Sequence, residues 1–158
     1  MKAAMLIPGP EGGQIEVRDA PTPTPGPREV MIKVKATAIN RGEVAGRRNF
    51  KSGAPVISGI ELAGEVVGLG EGAADFKVGA RVMGQVRGCN ADYAVANEGL
   101  LMAAPDHLDW VQAASLPNVL VTAHDAIVTN GTLAVAETVL VNAGSSGIGI
   151  AAIQIARA

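Results

Sequence analysis

Polar and apolar residues alternate through much of the first hundred positions. Gln14–Asp19 and 30–39 alternate with a period of two, which is typical of half-buried strands because successive side chains point to opposite faces of a sheet. Lys2–Ile7 precedes the first of these runs and is predicted to pair with it as a hairpin. Prolines at every second position from 21 to 27 remove backbone donors, so this stretch is predicted to be an extended connector.

Further short strands are predicted between clusters of glycine and other turn residues. They cover 62–69, 81–86, 91–95 and 100–103. Short strands at this spacing are typical of a small barrel or sandwich. This part of the chain is therefore predicted to be mainly β.

The pattern becomes helical after Pro105. Asp109 followed by Gln112 forms a capping-box sequence at the start of one helix, and 119–129 is predicted to form a second helix that ends at Asn130 and Gly131. Residues 138–142 form a continuous apolar run, which favours a buried parallel strand, followed by a glycine-rich loop and an apolar helix. The sequence thus predicts one βα unit, with too few residues after it for a complete parallel sheet.

Composition excludes several classes of function. The chain has 158 residues, a formal net charge of -2 and 3% aromatic residues, so neither a basic footprint nor stacking platforms for nucleic acid are present. A single cysteine, Cys89, excludes an intrachain disulfide and a closed thiolate zinc site, and favours a reducing compartment. Without an apolar run long enough for a signal peptide or a membrane span, the chain is predicted to be soluble and cytoplasmic.

The glycine-rich loop is the motif with the clearest chemistry. Glycines let the backbone approach a phosphate, while the start of the following helix offers free amides and the positive end of its dipole. A tight turn without a ligand is the alternative. The candidate cofactor-binding residues are Gly144, Ser145, Ser146, Gly147, Ile148 and Gly149.

A series of motifs occurs in a characteristic order. They are Met1-Lys2-Ala3, Asn40 after the long strand, Gly59-Ile60-Glu61 with Gly64 and Val66, Val78-Gly79 with Arg81-Val82, Tyr93-Ala94, Ala113-Ala114 with Leu116-Pro117, and 137–141. Together they resemble the medium-chain dehydrogenase/reductase superfamily, in its zinc-independent quinone oxidoreductase branch. The loop alone also resembles that of short-chain dehydrogenases, but those carry it near the start of the chain.

The resemblance implies a fold and two domains. Residues 1–117 would form a GroES-like catalytic domain, a partly open β-barrel. Residues 118–158 would form a bridging helix and the first βα unit of an incomplete Rossmann domain. The expected fold class is therefore mainly β with α.

The resemblance also implies site residues. Zinc-dependent relatives hold metal at positions that match Gly42 and Ile60, which cannot ligate it, so no metal site is expected. Asn40 matches an active-site asparagine that would orient a substrate carbonyl, although a turn-forming asparagine is an equal alternative. Thr122 matches a threonine near the nicotinamide, and its alternative is a hydroxyl bonded within its own helix.

The function implied is hydride transfer from NADPH, favoured over NADH by the resemblance alone, to a quinone or an α,β-unsaturated carbonyl compound. With most of the Rossmann domain absent, the chain is expected to be inactive alone. A non-catalytic GroES-like scaffold or interaction protein is the alternative. The terminal helix is apolar nearly all round, so a homo-oligomer or a swapped dimer is also expected.

Overall fold

In the computed structural model, which describes residues 1–158, the first part of the chain forms two open antiparallel sheets. The first sheet has three strands in the order β2-β1-β4, and the second has five in the order β7-β3-β5-β6-β8. The strands are β1 Lys2–Ile7, β2 Gln14–Asp19, β3 Glu29–Thr37, β4 Val56–Ile57, β5 Glu61–Leu69, β6 Arg81–Gln85, β7 Tyr93–Asn97 and β8 Leu101–Ala103. The eight strands belong to one compact unit, Met1–Ser115, which also contains two short helices. Leu116–Ala158 forms a second compact unit. The predicted fold class, mainly β with α, is confirmed. The predicted domain limits, 1–117 and 118–158, stay a prediction.

The hydrophobic core of the first unit lies on the five-stranded sheet. Antiparallel pairing of β3 with β5 and of β5 with β6 places their apolar positions on one face. The buried cluster comprises Val30, Ile32, Leu62, Val66, Val82, Val86, Cys89, Ala94, Ala96 and Leu101. The alternation in the sequence therefore identified β2 and β3, and the predicted hairpin of β1 with β2 is confirmed, whereas β4 was not predicted.

The first unit also contains helices α1, Arg41–Asn49, and α2, Trp110–Ala114. The predicted capping box of α2 is confirmed, because Asp109 accepts from the Gln112 amide at 2.7 Å and Gln112 accepts from the Asp109 amide at 3.0 Å. Helix α1 was not predicted. None of its residues is buried, so it has no apolar stripe that a sequence pattern could reveal.

The second unit is helical. Helix α3, Pro117–His124, continues into a π-helical turn, Asp125–Asn130, and α4 covers Gly147–Arg157. Ala123 of α3 packs with Ala151 and Ala152 of α4, and these small side chains form the centre of the contact. None of the helices in either unit reaches the length and hydropathy that a membrane crossing requires.

The prediction of a buried strand at 138–142 is wrong. These residues have no regular secondary structure, and Leu140 is 84% exposed. A strand is stabilised by hydrogen bonds to a neighbouring strand, and the unit Leu116–Ala158 contains none. The helix of the predicted βα unit forms, whereas its strand does not.

Candidate functional site

A cavity of about 1050 Å³ lies within the first unit, between the three-stranded sheet, the end of β3, and α1. Its size suits a small organic ligand, and most of its lining is apolar. The apolar lining includes Leu6, Val34, Ile39, Val44, Ile57 and Ile60. Four charged side chains also line it: Lys35, Glu43, Arg47 and Arg87.

Asn40 lies beside this cavity without lining it. It directly precedes α1, between the lining residues Ile39 and Glu43. Glu43 lies in the first turn of the helix, and its Oε2 accepts from the Asn40 backbone amide at 2.8 Å. The side-chain nitrogen of Asn40 donates to Oε1 of Glu61 at 2.6 Å. Glu61 is only 2% exposed, so a buried carboxyl group fixes the carboxamide.

The two positions that the resemblance matches to zinc ligands, Gly42 and Ile60, hold residues that cannot bind a metal. Gly42 is exposed on α1 and offers no ligand, and Ile60 contributes its apolar side chain to the cavity. No group of three or more His, Cys, Asp or Glu side chains is arranged to hold a metal ion. A ligand in this cavity would therefore meet hydrocarbon at the Ile60 position.

Cys89 is not available for chemistry. It is fully buried, and its thiol donates to the backbone oxygen of Glu61 at 3.2 Å. Burial raises the pKa of this thiol to about 12, so it is protonated at neutral pH. The cysteine therefore supports the loop at Gly59–Glu61 from inside.

The remaining candidate residues lie in the second unit. Thr122 is exposed in the second turn of α3, and its backbone oxygen accepts from the Asp125 amide in the helical ladder. The structure brings Asn40 together with Glu61 and Glu43, and it brings together the six loop residues 144–149. The roles assigned to Asn40, Thr122 and the loop stay predictions.

The glycine-rich loop leads directly into α4, which begins at Gly147. Ser146 caps the helix, with its hydroxyl accepting from the Gly149 amide at 3.0 Å, and the Ser146 amide donates to Ala143 at 2.9 Å. A Cβ added at Gly149 would lie 2.4 Å from the Ala143 oxygen, so only glycine permits this approach. The amides of Gly147 and Ile148 at the helix start have no partner in the structure, which suits an anionic ligand such as a pyrophosphate.

Sequence reasoning missed two parts of this site. The Asn40–Glu61 pair joins residues that are 21 positions apart, and no local pattern reveals such a contact. Arg87 was also missed, because a single arginine in a turn carries no distinctive signal. Its position in the cavity lining depends on the packing of its turn against the Gly59–Ile60 segment.

Comparison with known proteins gives a consistent result. Residues 26–145 match the family described as the alcohol dehydrogenase GroES-like domain. A quinone oxidoreductase from Sus scrofa is 35% identical over 155 residues, which make up 95% of this chain and 47% of that protein. The chain therefore spans about half the length of the curated relatives it matches.

Solved structures have the same fold. An alcohol dehydrogenase superfamily protein from Novosphingobium aromaticivorans superposes with a TM-score of 0.92 at 31% identity, over 99% of this chain and 50% of that one. A mycobacterial protein complexed with NADPH superposes with a TM-score of 0.83 at 29% identity, again over 99% of this chain and 50% of the other. The two open sheets and the loop before α4 therefore have counterparts in proteins about twice as long.

Proposed function

The chain belongs to the alcohol dehydrogenase GroES-like domain family, and on that premise we propose that it is the acceptor-binding part of an NADPH-dependent reductase. The acceptor is a quinone or an alkene conjugated with a carbonyl group. The family and the quinone oxidoreductase relatives support the class of reaction. The proposal for this chain depends above all on the apolar cavity that contains Ile60 beside the Asn40–Glu61 pair.

The cavity favours a flat, largely apolar acceptor over a primary alcohol. Alcohol oxidation needs a metal or a strong base to remove the hydroxyl proton, and the zinc positions hold Gly42 and Ile60. Reduction of a quinone or an enone needs only alignment and a donor toward the carbonyl oxygen. In this proposal Asn40 orients that oxygen from beside the cavity, where Glu61 and Glu43 hold it in place.

The loop at 144–149 is proposed to hold the cofactor phosphates. Its two unpartnered amides, at Gly147 and Ile148, and the Ser146 hydroxyl supply donors at a helix start. When bound, the nicotinamide supplies the hydride, and the polypeptide contributes orientation and exclusion of water. Thr122 is proposed as a further residue on the nicotinamide side.

Turnover by the 158-residue chain alone is proposed to be weak. These 158 residues span about half the length of the relatives that they match, and loss of binding energy remote from the reacting atoms lowers catalysis as well as affinity. A quinone reductase assay of the purified chain at ordinary enzyme rates would contradict this part of the proposal.

The reaction class is tested with the chain at a concentration equal to that of NADPH, so that even slow hydride transfer can be detected. Cyclohexenone is incubated with NADPH that carries deuterium at the transferable position. The proposal predicts deuterium on the β-carbon, a solvent proton on the α-carbon, and release of the saturated ketone with NADP⁺. A rate that equals the protein-free control would contradict it.

The scaffold alternative makes the opposite prediction for cofactor binding. A reductase must bind NADPH, so its fluorescence should rise when the chain is added, and the increase should be smaller for Gly149→Ala. An unchanged NADPH signal at high protein concentration would favour a non-catalytic module.

A further inference from the structure

The charged residues of the cavity lining are unbalanced. Three cations, Lys35, Arg47 and Arg87, line the cavity together with one carboxylate, Glu43. Glu43 accepts from the Asn40 amide, so its charge is directed at the start of α1. An anionic group in the cavity would therefore meet a net positive lining.

Two of the three cations already have partners. Arg47 donates to the Gly13 backbone oxygen at 2.7 Å, and Lys35 lies 3.7 Å from a carboxylate oxygen of Glu65. Arg87 differs, because no hydrogen bond or ion pair engages its exposed guanidinium. It is thus the lining cation whose donors are all free for a ligand.

The backbone around Arg87 is fixed on both sides. The Val86 amide donates to the Ile60 oxygen at 2.9 Å, and the Gly88 amide donates to the Gly59 oxygen at 2.9 Å. Gly88 has a φ of 72°, a left-handed conformation that glycine adopts without strain. These bonds hold Arg87 in the turn next to Ile60, which also lines the cavity.

We propose that Arg87 determines substrate specificity by binding an anionic substituent of the acceptor, such as a carboxylate or a sulfonate. This inference rests on the proposed function, because it places the acceptor in the same cavity. A guanidinium presents several donors in one plane, which match the two oxygens of such a group. The apolar lining would then hold the ring system while Arg87 binds its charged substituent.

The test compares two ligands of the same ring system, naphthoquinone and naphthoquinone sulfonate, by calorimetric titration of the 158-residue chain at low salt. Since Arg87 is exposed, we expect the sulfonate to bind about three- to fivefold more tightly than the neutral quinone. The preference should decrease at high ionic strength. Arg87→Gln should abolish it, and Arg87→Glu should reverse it.

Arg48→Gln is the matched control, because Arg48 is an exposed arginine of α1 that does not line the cavity. This variant should retain the preference, and circular dichroism should give the same fold for all variants. Equal affinities in the parent chain, or a preference that survives Arg87→Gln, would overturn the assignment while naphthoquinone binding still supports the proposed function. Failure of both quinones to bind would overturn both proposals.

A further titration distinguishes two anions that Arg87 could bind, the charged substituent of the acceptor and a phosphate of the cofactor. NADPH is titrated into the parent chain and into Arg87→Gln, and its affinity should be equal for the two. If Arg87→Gln weakens NADPH and leaves the sulfonate unaffected, the arginine binds a cofactor phosphate and the proposal is wrong.

Discussion

The side-chain amide of Asn40 donates to Oε1 of Glu61 across 2.6 Å, which joins the residue before α1 to the first residue of β5. Glu61 is almost completely buried, so this hydrogen bond replaces contacts that water would otherwise make. The bond therefore has a structural role whether or not Asn40 also orients a substrate.

Asn40→Ala should destabilise the first unit. The substitution removes a partner of a buried carboxyl group and a favourable residue at the helix start, and we expect a loss of about 1–3 kcal/mol in the free energy of unfolding. Urea denaturation measures it. Asn49→Ala at the exposed end of the same helix is the control and should change stability by less than about 0.5 kcal/mol. Equal effects of the two variants would contradict the importance of the Asn40–Glu61 pair.

Glu98 should make the first unit sensitive to acid. It is 1% exposed, and its carboxylate accepts from the Asp75 and Ala74 amides at 2.9 and 2.8 Å and pairs with Arg28 at 2.9 Å. These contacts, led by the Asp75 amide, hold the pKa of Glu98 below its usual 4.5, although burial opposes them. A lowered pKa in the folded state means that the stabilisation is complete above the unfolded value and is lost as pH falls through the folded one.

Urea unfolding between neutral pH and pH 3 tests the role of Glu98. Below about pH 4.5 the stability of the parent chain should decrease with falling pH, and Glu98→Gln should be less stable at neutral pH and show a shallower decrease. Glu71→Gln, which changes an exposed carboxylate, should retain the parent profile. If Glu98→Gln and the parent chain have parallel profiles, Glu98 is not responsible for the acid sensitivity.

Cys89 should resist alkylation in the folded chain. Its pKa of about 12 leaves very little thiolate at neutral pH, and the side chain is inaccessible. Iodoacetamide should modify it only after unfolding in urea, as followed by intact mass. Elemental analysis of the same sample should find no stoichiometric zinc. Rapid labelling under native conditions, or one zinc per chain that is lost in Cys89→Ala, would contradict this description.

Gly149→Ala should disturb the start of α4. The added Cβ would lie 2.4 Å from the Ala143 oxygen, so the loop or the helix must move, at a cost of about 1–3 kcal/mol. Hydrogen exchange of the α4 amides should accelerate. Gly144→Ala provides the comparison, because the nearest atom to its added Cβ is a flexible Ile153 methyl at 3.4 Å, and exchange there should change little. Similar acceleration in both variants would indicate that the close approach at Gly149 is not the cause.

The elements predicted correctly are those that depend on residues close together in the sequence. β3 has an alternating sequence that follows from a half-buried sheet, and the cap of α2 follows from Asp109 and Gln112 three positions apart. The run at 138–142 has the composition of a buried strand, but a strand also requires a neighbour, and composition alone does not specify one. The burial of Glu98 and the pairing of Asn40 with Glu61 depend on contacts between distant residues, so no window of sequence contains them.

Methyl NMR of the isoleucines tests the central claim, that the cavity at Ile60 binds the hydride acceptor. Naphthoquinone is titrated into the chain with labelled isoleucine methyl groups. We expect saturable shifts at Ile39, Ile57 and Ile60, which line the cavity, and none at Ile32, which is buried in the sheet core. Saturable binding that leaves Ile60 unshifted, or no binding at all, would contradict the assignment of this cavity as the acceptor site.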